Sequence, residues 1–148
     1  MTLKIVSLLV LAGVSAGCAA RQTPDHAQEV AQACAGISDG DLSSVVDTAR
    51  ANVESVKPKY VANVGLKGVP ATKLTGAVLY VRATPGTTAP SLTRALRCDG
   101  LKDHRVVPSE ADVRTDATET GFAVSLESSD PAIARSIWAR TEELTAHR

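Results

Sequence analysis

Hydrophobic positions recur along this chain in short periodic runs, and the run over residues 76–83 is the clearest. Every second residue of that run is apolar: Ala77, Leu79, Val81, Ala83. Such alternation is typical of a strand with one buried face. The Pro-Gly pair at 85–86 predicts a turn, and a threonine at 87 or 88 then caps a helix that carries Cys98 and ends at Asp99-Gly100.

Two helices are predicted before this strand. Apolar residues over 42–56 are spaced by four, three, four and three positions, which places one stripe on a helix that Pro58 stops. The stripe consists of Leu42, Val46, Ala49, Val53, Val56. The preceding turn gives this helix Asp41 as its N-cap, and a shorter helix opens at Asp25 and ends at Cys34. Glycines and a proline interrupt residues 60–75, which offer only a brief strand at 60–64.

The second half of the chain predicts a hairpin and a last helix. Alternating runs at 111–116 and 122–126 flank a short polar link, and Asp130-Pro131 is a typical helix start. From Gly76 the order is therefore strand, helix, strand, strand, helix. We expect an α+β fold: a small antiparallel or mixed sheet with helices on one face, forming a partial ferredoxin-like (βαββα) layer preceded by one or two helices.

The first 17 residues have the pattern of an export signal. Lys4 precedes a short apolar run over residues 5–14, which is well under the roughly 20 residues that span a bilayer. The Gly17-Cys18 junction resembles a bacterial lipoprotein signal, in which the cysteine carries the lipid, although Ser15 stands where that family usually has leucine. Ordinary signal cleavage, giving a soluble secreted protein, stays open.

This pattern sets the expected domain organisation and location. Residues 1–17 form the signal peptide, 18–24 a tether and 25–148 a single α+β domain. We expect an exported protein that contacts the membrane through lipid on Cys18, in the cell membrane or the outer membrane, and faces the periplasm.

The cysteine count fits a lipid anchor. Of the three cysteines, lipid on Cys18 would leave Cys34 and Cys98 as a pair in an oxidising compartment. A disulfide between them would close a loop of roughly 65 residues, for which chain entropy gives about 4 kcal/mol. Two free thiols stay open, as does a copper or zinc site that includes His104.

Charge and composition exclude some classes of function. The formal net charge is zero, so nothing favours nucleic acid as a partner. The Gly-x-Ser-x-Gly motif at 13–17 lies in the signal peptide rather than between a strand and a helix, so it is no nucleophile elbow. The sequence gives no catalytic residues, no metal site beyond that candidate and no cofactor motif.

Several short motifs resemble an uncharacterised group of short exported proteins of myxobacterial type. They are Ala33-Cys34-Ala35-Gly36-Ile37, Glu54-Ser55-Val56-Lys57-Pro58, Val81-Arg82-Ala83-Thr84-Pro85-Gly86-Thr87-Thr88-Ala89 with Cys98, and Gly121-Phe122-Ala123-Val124 with Ser129-Asp130-Pro131-Ala132. The resemblance implies no activity. In that group, histidines commonly stand at the positions of Ala49 and Asp99, so any metal site they form would be lost here.

Three functions remain as hypotheses. The favoured one is a lipid-anchored, non-enzymatic binding or envelope-interaction module whose protein or small-molecule partner is unknown. The second is an exported thiol- or metal-handling protein that uses Cys34, Cys98 and His104. The third is an enzyme whose site is spread over loops, which would need a polar pocket near Tyr80 or Arg82.

Overall fold

The computed structural model describes residues 25–64, 70–103 and 105–146. The predicted signal peptide, Cys18, the tether and His104 lie outside the described residues. The described elements, in chain order, are α1 (His26–Cys34), α2 (Asp39–Ala51), β1 (Val53–Val64), β2 (Pro70–Arg82), α3 (Ala89–Lys102), β3 (Asp112–Ala117), β4 (Gly121–Glu127) and α4 (Pro131–Ala146).

The four strands form one sheet in the order β1-β2-β4-β3, and every neighbouring pair is antiparallel. Because β4 is antiparallel to both β2 and β3, those two strands run in the same direction on either side of it. The segment from β2 to β3 is thus a split βαβ unit, with β4 inserted between its two strands. The predicted α+β class is confirmed, and β1 adds a fourth strand beside β2.

One face of the sheet supplies the core. Across β2 and β4 its residues pair as Ala77 with Leu126, Leu79 with Val124, and Val81 with Phe122. All six are buried and belong to one cluster with apolar side chains of α2, α3 and α4: Leu42, Val46, Leu92, Leu96, Ile137. The opposite face carries polar groups, among them Lys59, which pairs with Glu127 at 2.6 Å.

Caps fix the starts of three helices. Ser38, rather than the expected Asp41, is the N-cap of α2, and its Oγ accepts the N–H of Asp41 at 3.1 Å. Thr88 caps α3 as predicted. Asp130 accepts N–H groups from the first turn of α4, and these hydrogen bonds from Ile133 and then Ala132 hold the pKa of Asp130 below its usual value.

Two predicted helix ends are wrong. The helix over 42–56 stops at Ala51, because Asn52 caps it through its backbone N–H and its side-chain amide, and the chain continues as β1. The predicted stop at Asp99-Gly100 also fails, since α3 continues to Lys102. A Cβ at Gly100 would lie only 3.3 Å from the Val107 side chain, so this glycine lets the helix approach the following connection closely.

Candidate functional site

A disulfide joins α1 to the body of the domain. Cys34 at the end of α1 and Cys98 in α3 are bonded, with their Cα atoms 5.0 Å apart. Helix α1 buries none of its side chains, whereas Cys98 is 1% exposed. The bridge is therefore the covalent attachment of a surface helix to a core helix.

The same bridge affects the candidate metal site. With both sulfurs in a disulfide, neither Cys34 nor Cys98 offers the thiolate that copper or zinc would need. His104, the expected third ligand, lies outside the described residues. Over 25–64, 70–103 and 105–146, no group of three or more histidine, cysteine or acidic side chains could hold a metal ion.

An open cleft of about 950 Å³ lies next to the bridge. Its three walls come from α1, α3 and β3, and its floor comes from the connection over residues 107–111; we call it the α1/α3 cleft. Glu29 and Gln32 line it from α1, whereas Arg94 and Arg97 line it from α3. Helix α1 thus meets three successive later segments of the chain at one concave surface, whose lining is polar and apolar in similar parts.

The cations of the α1/α3 cleft follow from the orientation of α3. Leu92, Ala95, Leu96 and Cys98 of this helix are buried in the core. The helical period of 3.6 residues then turns positions 94 and 97 outward, one turn apart on the same side. Neither of these arginines makes a hydrogen bond or an ion pair with any residue that the structure describes.

Several other arginines in the described part of the chain are bound to carboxylates, whereas Arg50 and Arg135, like the cleft arginines, make no such contact with a described residue. The Arg105 Nε donates to Asp99 at 3.0 Å, and Arg82 pairs with Glu54 at 2.8 Å. The cleft does contain carboxylates, on Glu29, Glu110 and Asp112. The α1/α3 cleft thus combines two guanidinium groups on the α3 wall with acidic side chains on its other walls.

A buried carboxylate fixes the connection that forms the floor of the α1/α3 cleft. Asp99 is 0% exposed, and it accepts both the Arg105 Nε–H and the Val106 N–H at 3.0 Å. These bonds turn the chain sharply after α3 and bring Val107, which is also fully buried, under the cleft. The floor is therefore held rigidly against the end of α3.

The third wall contains an unsatisfied hydroxyl. Thr115 of β3 lines the α1/α3 cleft, and its Oγ1 is buried without a hydrogen-bond partner in the described structure. A buried hydroxyl that lacks a partner costs free energy, so such groups are uncommon in folded proteins.

The site agrees only partly with the sequence-based expectations. The pairing of Cys34 with Cys98 brought α1 to α3 as proposed, but the arginines at 94 and 97 were missed. The sequence did indicate that both arginines lack an ion-pair partner on their own helix, because no acidic residue stands three or four positions from either of them. Tyr80 and Arg82, near which the enzyme hypothesis expected a polar pocket, do not line the α1/α3 cleft.

Comparison with known proteins gives no family. No family model matches the chain, and neither do any curated protein or any solved structure. The resemblance to exported myxobacterial proteins stays a prediction. Across the described residues, every helix is too short or too polar to cross a bilayer.

Proposed function

We propose that this protein is an exported, lipid-anchored binding module whose binding site is the α1/α3 cleft. It has no catalytic role in this proposal, and it contacts the membrane through lipid on Cys18. The observation that carries the binding role is the cleft itself, with Arg94 and Arg97 unpaired among the described residues. Cations that line a concave surface without partners are suited to an external ligand.

The size of the cleft supports binding. Its volume of about 950 Å³ lies near the upper end of the range of roughly 300–1,000 Å³ that is usual for ligand sites. Its lining combines apolar side chains with charged ones, which suits a ligand that has both apolar and hydrogen-bonding groups. The fixed connection around Asp99 and the disulfide would keep the walls in place before a ligand arrives, which limits the entropy cost of binding.

The tether supports a role at the envelope surface. If Cys18 carries lipid, residues 18–24 separate it from α1, and a fully extended tether of this length spans only about 25 Å. Because α1 is one wall of the α1/α3 cleft, the cleft would stay close to the membrane. A partner would then be an envelope component or a molecule that reaches the membrane surface.

The anchor is tested by the intact mass of the protein purified from membranes after export. We expect a chain that starts at Cys18 with an added lipid mass, and two thiols that become alkylated only after reduction. A chain without lipid that starts at Gly17 or later would refute the anchor. Thiols that are free in the exported protein, together with stoichiometric copper or zinc, would favour the thiol- or metal-handling alternative instead.

The binding site is tested by NMR on the mature exported protein. The probes are chemically distinct sets: amino acids, short peptides, monosaccharides and phosphate monoesters. We expect at least one set to shift backbone amides over 93–97 and 109–115, and the shifts to disappear in Arg94→Ala/Arg97→Ala. Arg135→Ala, an exposed arginine on α4, is the matched control. The absence of any shift in these two segments would refute the proposed site.

A further inference from the structure

We propose that the α1/α3 cleft binds the C-terminal segment of a polypeptide. The segment would add as a strand to the free edge of β3, and its terminal carboxylate would bind Arg94 and Arg97. This inference rests on the proposed binding function and specifies the partner and the mode of binding.

The free edge follows from the hairpin between β3 and β4. The Thr118 N–H donates to the Gly121 carbonyl at 2.9 Å, so these two residues form a hydrogen-bonded pair next to the turn. Such pairs alternate along antiparallel strands. From the register, residues 112, 114 and 116 exchange backbone hydrogen bonds with β4, and residues 113, 115 and 117 direct theirs away from the sheet.

This free edge coincides with the wall of the α1/α3 cleft. Val113 and Thr115, whose backbone groups point outward, are the β3 residues that line the cleft together with Asp112. Helix α3 forms a facing wall. A groove between an edge strand and a helix is the geometry in which an extended peptide gains main-chain hydrogen bonds from the strand and side-chain contacts from the helix.

The other edge of the sheet is less suited to such pairing. Strand β1 carries Pro58, which has no N–H, and the lysines on either side of it at 57 and 59. Prolines and lysines on an edge strand are common devices against strand addition. Strand β3 also carries charged side chains, on Asp112, Arg114 and Asp116, but it contains no proline, so the outward backbone groups of Val113 and Thr115 can both donate and accept.

Charge complementarity selects the C-terminal end of a chain. A carboxylate bound by Arg94 and Arg97 would form charge-assisted hydrogen bonds, which two-pronged guanidinium groups make particularly well. An acidic segment would be repelled along the rest of its length by Glu29, Glu110 and Asp112. A peptide whose main negative charge is its terminal carboxylate satisfies the arginines and avoids that repulsion.

Affinity selection with peptides of random sequence tests this mode of binding. The probes are two synthetic heptapeptide pools, one with a free C-terminal carboxylate and one with a C-terminal amide, offered to the mature exported protein. We expect selected peptides from the free-acid pool to bind at least tenfold more tightly than their amidated forms. Equal retention of the two forms would overturn the carboxylate contact.

Matched variants test the two walls. Arg94→Ala and Arg97→Ala should each weaken binding at least tenfold, whereas Arg135→Ala should not change it. Thr115→Pro removes an outward N–H in the cleft and should abolish binding. Ala117→Pro removes an equivalent outward N–H beyond the cleft residues, so it should bind as the wild type does and shows that proline is tolerated on this edge.

Hydrogen exchange gives the direct readout of strand addition. The amides of Val113 and Thr115 should exchange at least tenfold more slowly in the peptide complex, because they become hydrogen-bonded. Bound peptide without this protection would overturn strand addition. If small molecules shift the cleft amides but neither peptide pool is retained, the peptide proposal fails and the binding function survives. If nothing binds in the cleft, both fail.

Discussion

Removal of the Cys34–Cys98 bridge should lower the stability of the protein by about 4 kcal/mol, from loop-closure entropy over a sequence separation of 64. The substitution of choice is Cys34→Ala. Cys34 is only partly buried, and Cys98 stays in place as a thiol, so no cavity forms in the core. A loss of this size is a large part of the 5–15 kcal/mol that a typical domain has.

The effect should be largest on α1. This helix buries none of its side chains, and isolated helices of fewer than about 12 residues are marginal in water. We therefore expect α1 to lose its protection from hydrogen exchange under native conditions in Cys34→Ala, whereas Leu92 and Leu96 of α3 keep theirs.

Urea unfolding of the wild type, of the reduced wild type and of Cys34→Ala measures the free energy directly. The reduced wild type is the matched control, because it lacks the bridge without any substitution. A loss below about 1 kcal/mol in both proteins, with α1 still protected, would refute the reasoning, since the bridge would then not be the main attachment of α1.

The same urea assay tests four further changes. Gly76→Ala should lower the free energy of unfolding by about 3–5 kcal/mol, because the new Cβ would overlap the Leu126 carbonyl and Gly76 has a φ of +150°. An unchanged free energy of unfolding would contradict this. Asp99→Ala should cost about 2–4 kcal/mol by removing the acceptor of two buried bonds, and Asp99→Asn less. Thr115→Val should raise the free energy of unfolding by about 1 kcal/mol, because it deletes an unpartnered buried hydroxyl. A lower free energy of unfolding would indicate that the hydroxyl has a partner. The pKa of Asp130 is lowered in the folded protein, so the wild type should exceed Asp130→Asn in free energy of unfolding by a constant amount above the ordinary pKa of 3.8. This difference should shrink as the pH falls below 3.8, and a difference that persists at low pH would contradict the cap.

Much of the fold was predictable because local signals and tertiary packing agree. The alternation around Leu79, the threonine cap at Thr88 and the Asp130-Pro131 helix start all specify structures that the core then uses. The split βαβ order followed from the element sequence alone, since a helix that separates two strands leaves space for a third strand between them.

The helix-to-strand boundary could not be predicted for a physical reason. The stripe through Val53 and Val56 fits a helix that continues from α2, but β-branched side chains also suit a strand. Asn52 decides the boundary by capping α2, and Val53 is then buried as the first residue of β1. Pro58 is compatible with β1 because this strand lies at the sheet edge, and from the sequence alone the same proline indicated a helix stop.

The α1/α3 cleft depends on tertiary contacts between segments that no local pattern brings together. The bridge between Cys34 and Cys98 holds one wall, and Asp99 fixes the floor. The variants proposed above should therefore divide into those that weaken binding alone and those that weaken both binding and stability. Arg97→Ala should weaken binding and leave unfolding unchanged, because the side chain has no partner among the described residues. Cys34→Ala should lose both, because the bridge that stabilises the domain also holds α1 in place as a wall of the site.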